Sequence, residues 1–248
     1  MERNKIVKFC EEYLKVKDFT DFCNNGLQVE GTPEVKKIIT GVTLSQKLIE
    51  QAIAKKAQMI IVHHGIFVKY LGEQPKITGV WKTRLKLLLA NEINLLGFHL
   101  PLDAQPEIGN NINICKLLGI IINTEPFEVG FIGELKKEMD FNDFVKLVNE
   151  KLATKSYAIN AGPKLVKKIG VISGGSSPDV HEIAAQGADT FLAGDIREQI
   201  VRVVEELNIN FINAGHYNTE TFGIKNLGDL LAKKFDLDVE FVDVPCEI

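Results

Sequence analysis

The chain of 248 residues carries one arrangement twice. The first copy reads Lys36-Lys37-Ile38-Ile39, a helical stretch, Met59-Ile60-Ile61-Val62-His63-His64, and then Phe98-His99-Leu100-Pro101-Leu102-Asp103. The second reads Lys167-Lys168-Ile169-Gly170, a helical stretch, Thr190-Phe191-Leu192-Ala193-Gly194-Asp195, and then Gly215-His216-Tyr217-Asn218-Thr219-Glu220. Lys37 to Lys168 and His64 to Asp195 are each 131 residues apart, whereas His99 to His216 and Asp103 to Glu220 are 117 apart, so the second copy is 14 residues shorter between its last two strands. A chain duplicated in this way must fold as two similar halves.

The type of half follows from the apolar pattern. Strands are expected over 37–42, 58–62 and 94–98, with helices over 45–56, 80–92 and 108–118, the last ended by Gly119. The strand runs are apolar without polar alternation, which implies burial on both faces, and their alternation with helices implies an α/β fold with largely parallel sheets. At this length the chain makes one large domain or two of roughly 120 residues. The division expected here is 1–126 and 127–248, with closing elements free to pack back on the first half. Between the copies, Phe127 to Leu135 reads as a strand, and Asp140 is placed to cap a helix whose apolar face is Phe141, Phe144, Val145, Val148 and Leu152. Ahead of the first copy, Ile6, Phe9, Cys10, Tyr13 and Leu14 mark an amphipathic helix. The Asn25-Gly26 step after it requires a tight turn with positive φ at glycine.

In parallel sheets, sites form beyond the carboxyl ends of the strands. His63, His64, His99, Asp103, Asp195, His216 and Glu220 all lie there or just after. Four of the five histidines fall in these segments, while His181 is expected on a helix surface. A histidine pair at a strand end usually serves only as turn and cap residues. Here it recurs with two His-x-x-x-acid segments in matching places, which favours nitrogen and carboxylate ligands for a metal centre, with two acids available to bridge two ions. Glu220 is expected in the first turn of a helix capped by Asn218 or Thr219, where the dipole favours its charge. Asp103 follows Pro101 in an extended or turn segment, which makes it the sharper ligand candidate. Two such half-sites facing each other across a cleft between the halves would let five ligands converge.

Other features narrow the function class. Cys10, Cys23, Cys115 and Cys246 form no Cys-x-x-Cys pair, so they read as buried free thiols rather than a zinc knuckle or redox site. The mean hydropathy is +0.03, no run of 18 apolar residues occurs and the N-terminus lacks the apolar core of a signal peptide, so a soluble cytoplasmic protein with no membrane contact is expected. A formal charge of −4 gives no general electrostatic case for nucleic-acid binding. The segment Ile172-Ser173-Gly174-Gly175-Ser176-Ser177-Pro178-Asp179 either contacts a phosphate or is a plain strand-to-helix turn, and it lacks the ending of a Walker loop.

Several segments together resemble a known family. Asn25-Gly26-Leu27-Gln28-Val29-Glu30-Gly31, Gly41-Val42-Thr43-Leu44-Ser45, Val62-His63-His64-Gly65, His99-Leu100-Pro101-Leu102-Asp103-Ala104 with Gly109-Asn110-Asn111, and Gly215-His216-Tyr217-Asn218-Thr219-Glu220 are similar, in order, to the GTP cyclohydrolase 1 type 2 homologs, also called Nif3-like dinuclear-metal proteins. The likeness runs from about residue 5 to the end. It implies two interlinked α/β domains, a toroidal homohexamer, and His63, His64, Asp103, His216 and Glu220 as the five ligands of two divalent ions, with iron, zinc, manganese and nickel all compatible with this donor set. Many relatives have Asp where this chain has Thr43, and a long inserted domain present in some is absent. The family name implies a hydrolase in which metal-activated hydroxide attacks a nucleotide-like substrate, with His99 or Asp195 carrying the proton. The alternative is a non-catalytic metal-dependent ring that binds nucleic acid or a protein partner. A basic cavity lining would favour the ring, and a closed pocket over the metals the hydrolase.

Overall fold

The computed structural model describes residues 1–67, 76–122 and 127–246. The chain divides into two compact units, the first formed from Met1–Leu102 and Gly223–Pro245 and the second from Asp103–Phe222.

The first unit opens with α1 (Arg3–Tyr13) and continues through β1 (Gly26–Val29), β2 (Lys37–Thr43), α2 (Gln46–Ala54), β3 (Met59–His64), α3 (Gly79–Ala90), β4 (Asn94–Gly97) and the start of α4 (Leu100–Ala104). Its sheet has the order β1-β4-β3-β2-β11, where β11 is Asp238–Phe241 from the end of the chain. Strands β4, β3, β2 and β11 run parallel and β1 is antiparallel at one edge. Ile38, Ile39, Ile60, Ile61, Leu95 and Leu96 are fully buried, as expected for strands covered on both faces. Ser45 caps α2 by accepting a hydrogen bond from the Leu48 N–H at 3.2 Å. The predicted face of α1 is used: Ile6 and Cys10 are fully buried, and the Phe9 ring meets that of Phe235 edge-on at 5.5 Å. Gly26 has the expected positive φ, +99°, but it opens β1 instead of forming a tight turn.

The second unit contains α5 (Asn110–Leu118), β5 (Ile120–Ile122), β6 (Phe131–Asp140), α6 (Phe141–Leu152), β7 (Tyr157–Ile159), β8 (Leu165–Ile172), α7 (Val180–Ala185), β9 (Thr190–Ala193), α8 (Glu198–Leu207), β10 (Asn210–Asn213) and α9 (His216–Thr219). Its sheet order is β5-β6-β8-β9-β10-β7, with β8, β9 and β10 parallel and the flanking strands antiparallel. Asp140 caps α6 by accepting from the Asn142 N–H at 2.9 Å, and Phe141, Phe144, Val148 and Leu152 bury the predicted face. Gly119 closes α5 in the left-handed conformation, φ +68°.

The duplication is visible in the register. Ile38 pairs with Met59 and Ile169 with Thr190, both partners offset by 131. Met59 pairs with Asn94 and Thr190 with Asn210, so the last strand is offset by 116, and one extra residue after β10 restores 117 at the histidine. The repeat also reaches further back than the sequence motifs did, because β1 lies antiparallel to β4 as β7 does to β10, with Leu27↔Leu96 and Ala158↔Ile212. Equivalent side chains clamp the backbone. Gln58 Oε1 accepts from the N–H groups of Lys36 and Lys37, and Asp189 Oδ2 accepts from those of Lys167 and Lys168. Buried Asn94 accepts from the Gly31 N–H and donates to the Thr32 carbonyl, while Asn210 does the same for Gly162 and Pro163. These amides satisfy backbone groups at strand starts that water does not reach.

The unit boundary differs from the expected 126/127, a point beside residues 123–126, which lie outside the described residues. The chain leaves the first unit within α4, because α5 and β5 bury Ile114, Cys115, Leu118 and Ile120 in the core formed by Phe131, Phe144, Val148 and Val171. Conversely, α10 (Thr221–Phe235) buries Leu227 and Leu231 and leads to β11, which pairs with β2 of the first unit. Each repeat thus gives its closing helix and strand to the other unit, which is the sense in which the two are interlinked. Cys10, Cys23 and Cys115 are buried, burial pushing the Cys115 thiol up to about 12. Cys246 is exposed, contrary to expectation, because it follows the last strand rather than lying on a packed face.

Candidate metal centre

In the first unit, β3 delivers His63 and His64 at its carboxyl end and the turn after β4 delivers His99. One ring nitrogen from each lies within 4.8 Å of the others. Each histidine has its Nδ1 held by a protein oxygen: His63 by the Phe98 carbonyl at 2.9 Å, His64 by Thr43 Oγ1 at 3.0 Å and His99 by Asp21 Oδ1 at 3.0 Å. A carbonyl or carboxylate acceptor fixes both the ring plane and the tautomer and leaves Nε2 with the free lone pair, whereas a threonine hydroxyl, which can donate or accept, fixes the plane alone. Thr43 is therefore an orienting partner of His64.

In the second unit, Asp103 and Glu220 are 4% and 2% exposed and each brings one oxygen to within 4.8 Å of the other. Asp103 Oδ1 accepts from Asn110 Nδ2 at 2.8 Å and from Ser173 Oγ at 3.0 Å. His216 Nε2 lies 3.2 Å from Glu220 Oε1. Both acids are placed differently from expectation. Asp103 sits in the short helix α4, since the Leu102 N–H already bonds back to the His99 carbonyl. Glu220 lies at the joint between α9 and α10, ahead of the first turn of α10. Neither expected cap is made: Thr219 Oγ1 donates to the carbonyls of Gly215 and His216 and accepts from the Gly174 N–H, and Asn218 donates to the Leu152 and Ala153 carbonyls.

Asp195, at the end of β9, is half-buried and accepts from the Ser177 N–H at 3.3 Å. His181 is exposed on α7. The 172–179 segment is a strand-to-helix turn whose N–H groups serve the fold. That of Gly174 bonds to Thr219, that of Ser176 to the Gly174 carbonyl, that of Ser177 to Asp195 and that of Asp179 to the Ser176 carbonyl. A Cβ on Gly174 would fall on Glu220 Oε1, so glycine is required for the turn to pass the carboxylate. Sequence reasoning missed Asp21, Ser173 and the orienting role of Thr43. None of these belongs to a periodic pattern, and although Thr43 and Ser173 lay within segments singled out in the sequence, neither segment signalled the bond its residue makes.

Burial, reinforced by the negative charges of Glu128 and Glu182, pushes the Asp179 carboxyl up to about 6, partly opposed by Arg197. A raised folded-state value means that the native state holds this proton more tightly than the unfolded chain does, so the contribution is favourable at low pH and is lost as pH rises from about 4 to about 6. Asp179→Asn is expected to raise stability at pH 7.5 by about 1 kcal/mol, allowing for partial exposure, and to change little at pH 4. Thermal unfolding at the two pH values checks this, and an equal effect at both would contradict it.

The whole chain, residues 1–247, matches the model of the Duf34/NIF3 (NGG1p interacting factor 3) family. The chain belongs to this family. A GTP cyclohydrolase 1 type 2 homolog from Haemophilus influenzae is 44% identical over 250 residues, covering 98% of each chain. Among solved structures, one described as protein ybgI, unknown function, superposes with a TM-score of 0.96 at 39% identity, covering all of both chains. TTHA1606 from Thermus thermophilus does so with a TM-score of 0.91 at 32% identity and the same full coverage. The mixed α/β architecture with two sheets is thus that of the family, and the His, Asp and Glu groups described above are placed to hold metal.

Proposed function

We propose that this NIF3-family chain is a dinuclear-metal-dependent hydrolase acting on a nucleotide-like substrate, with His63, His64, Asp103, His216 and Glu220 holding two divalent ions. The supporting observation is the donor set. Two buried carboxylates within 4.8 Å repel each other unless a cation or proton lies between them, and both His63 and His64 have Nδ1 committed to a protein oxygen in the manner of metal-ligating histidines. Two bound ions would supply Lewis acidity and lower the pKa of a water to near neutrality. Asn110 and Ser173 hold Asp103 in place, Thr43 and the Phe98 carbonyl set the histidine planes, and His99 and Asp195 are the groups available to carry a proton.

The deciding experiment is metal analysis of protein purified without added metal, followed by a metabolite hydrolysis screen, GTP included, with that metal restored. Two ions per chain with metal-dependent hydrolysis would establish the reading. Two ions without any hydrolysis would replace it with metal-dependent binding, and no bound metal would remove both.

We further propose that the chain assembles as a homohexamer. The family resemblance suggests it, and Ile77, Val80 and Leu89 on and beside α3 are single exposed apolar side chains of the kind association covers. Light scattering should give six times the 27.6 kDa chain mass, and a stable monomer across the micromolar range would discard the assembly. If such a ring held nucleic acid, affinity would fall steeply with salt. Binding that is absent at low salt removes that variant.

A further inference from the structure

We propose that Asp21 is a positioning residue: through His99, whose Nδ1 carries the proton toward it, it fixes the other imidazole nitrogen, Nε2, beside the His63–His64 pair, where Nε2 accepts a hydrogen bond from an O–H of the substrate. The inference rests on the hydrolase reading above and adds to it a residue outside the five proposed ligands and outside the repeat; Asp21 does stand with Cys23 and His99 in a group close enough to hold an ion.

The Asp21 side chain is 2% exposed and its carboxylate is fully engaged. Oδ1 accepts from the Cys23 N–H at 2.9 Å and bonds His99 Nδ1 at 3.0 Å, while Oδ2 accepts from Asn25 Nδ2 at 2.9 Å and from the Leu100 N–H at 3.1 Å. With both oxygens so occupied, this acid is an anchor rather than a metal ligand. It grips His99 from both sides, because the next backbone N–H is also bonded to it, and the His99 N–H itself donates to Asn25 Oδ1 at 2.7 Å. The exposed Phe22 ring packs edge-on against the imidazole at 4.7 Å and closes a further direction of movement. What the ring leaves available is the side toward His63 and His64, whose rings are 5.0 and 5.5 Å away between centroids.

The duplication supplies an independent comparison. His99 and His216 occupy the same place in the two repeats, and each is followed four residues later by an acid. In the second repeat that acid, Glu220, lies 3.2 Å from His216. In the first, Asp103 is bonded instead to Asn110 and Ser173, and His99 takes its acid from Asp21 in the loop before β1. The offset of 131 that relates the repeats puts Leu152 opposite Asp21, so the second repeat has no counterpart of this anchor. The position has diverged into a ligand in one repeat and a held hydrogen-bonding group in the other.

The test uses the zinc-loaded full-length protein, with inorganic phosphate as the probe, since at neutral pH it keeps a P–O–H that can donate to Nε2. In nitrogen-edited NMR, a slowly exchanging Nδ1–H of His99 is expected in the wild type and is expected to be lost in Asp21→Asn, whose amide no longer anchors the ring as a charged acceptor. His99→Gln is expected to keep the wild-type zinc content while weakening phosphate binding about tenfold, and Asp21→Asn to weaken it in the same direction. His99→Gln serves as the second variant should Asp21→Asn fail to fold. Absence of the Nδ1–H signal in the wild type, loss of zinc from His99→Gln, or phosphate affinity equal in wild type and His99→Gln would each overturn the proposal, as would a wild type that holds zinc but does not bind phosphate. Failure of the wild type to take up two zinc ions would instead overturn the underlying metal-site reading.

Discussion

Asp103→Asn and Glu220→Gln are each expected to lower metal content from two ions per chain to one or fewer. The side chains are buried and close enough that their charges must be offset; the proposed bridging divalent ion would do so, and each amide replacement removes one of the two charges that would hold it. The Asn substitution is a clean probe because Asn Oδ1 can still accept the bonds that Asp103 Oδ1 takes from Asn110 and Ser173. Loss of metal therefore need not mean loss of fold, and circular dichroism on the same samples separates the two. Replacing His63, His64 or His216 should weaken mainly the ion that residue serves, and His99→Ala should leave metal content largely intact. If both carboxylate variants keep two ions per chain, the bridging arrangement is wrong. If His99→Ala loses them, His99 belongs to the ligands.

The parts of the fold that were legible in the sequence are those governed by local pattern. Apolar runs of strand length, Asp140 ahead of an amphipathic helix, Gly119 at a helix end and the positive φ at Gly26 all describe neighbours in the chain, and the structure has each of them. The offset of 131 survives as pairing register because insertions between repeats fall in connections, not within strands. The exchange of closing elements was legible only as a possibility, since the closing elements were left free to pack back on the first half but periodicity does not say which core a helix such as α5 or α10 joins. At the site, strand-end histidines were visible as motif, but their orienting partners were not. Asp21 bonds a histidine 78 residues away, and Ser173 bonds an acid 70 residues away, contacts that only the folded backbone creates. The misplacement of Glu220 has a similar source: Thr219 has the composition of a helix cap but spends its hydroxyl on Gly174 across the sheet end.

Gly194→Ala is expected to destabilise the protein by roughly 3 kcal/mol, with a fall in Tm of about 10 °C, because overpacking against backbone has no rotamer to relieve it. Gly194 stands where the first repeat has His63, at the end of β9. A Cβ there would lie 2.6 Å from the Gly174 nitrogen, 2.7 Å from its carbonyl oxygen and 2.6 Å from Thr219 Oγ1. Two of these three atoms are main chain, and the Gly194 N–H is itself bonded to the Gly174 carbonyl at 2.9 Å. The approach is what allows Gly174 to bond Thr219, and Thr219 precedes Glu220, while Ser173 on the other side holds Asp103. Relief of the clash must push the 173–174 segment away from both acids, so metal content should fall together with stability. Gly175→Ala is the matched control: its Cβ would meet Asp195 Oδ2 and His216 Cε1 only at 3.6 Å, an ordinary contact, and its φ needs no glycine. Thermal unfolding and metal stoichiometry of the pair decide the matter. Equal stability in the two variants would mean that the second repeat tolerates a side chain where the first places its ligand, and that the close packing of Gly194 on Gly174 does not fix the positions of Asp103 and Glu220.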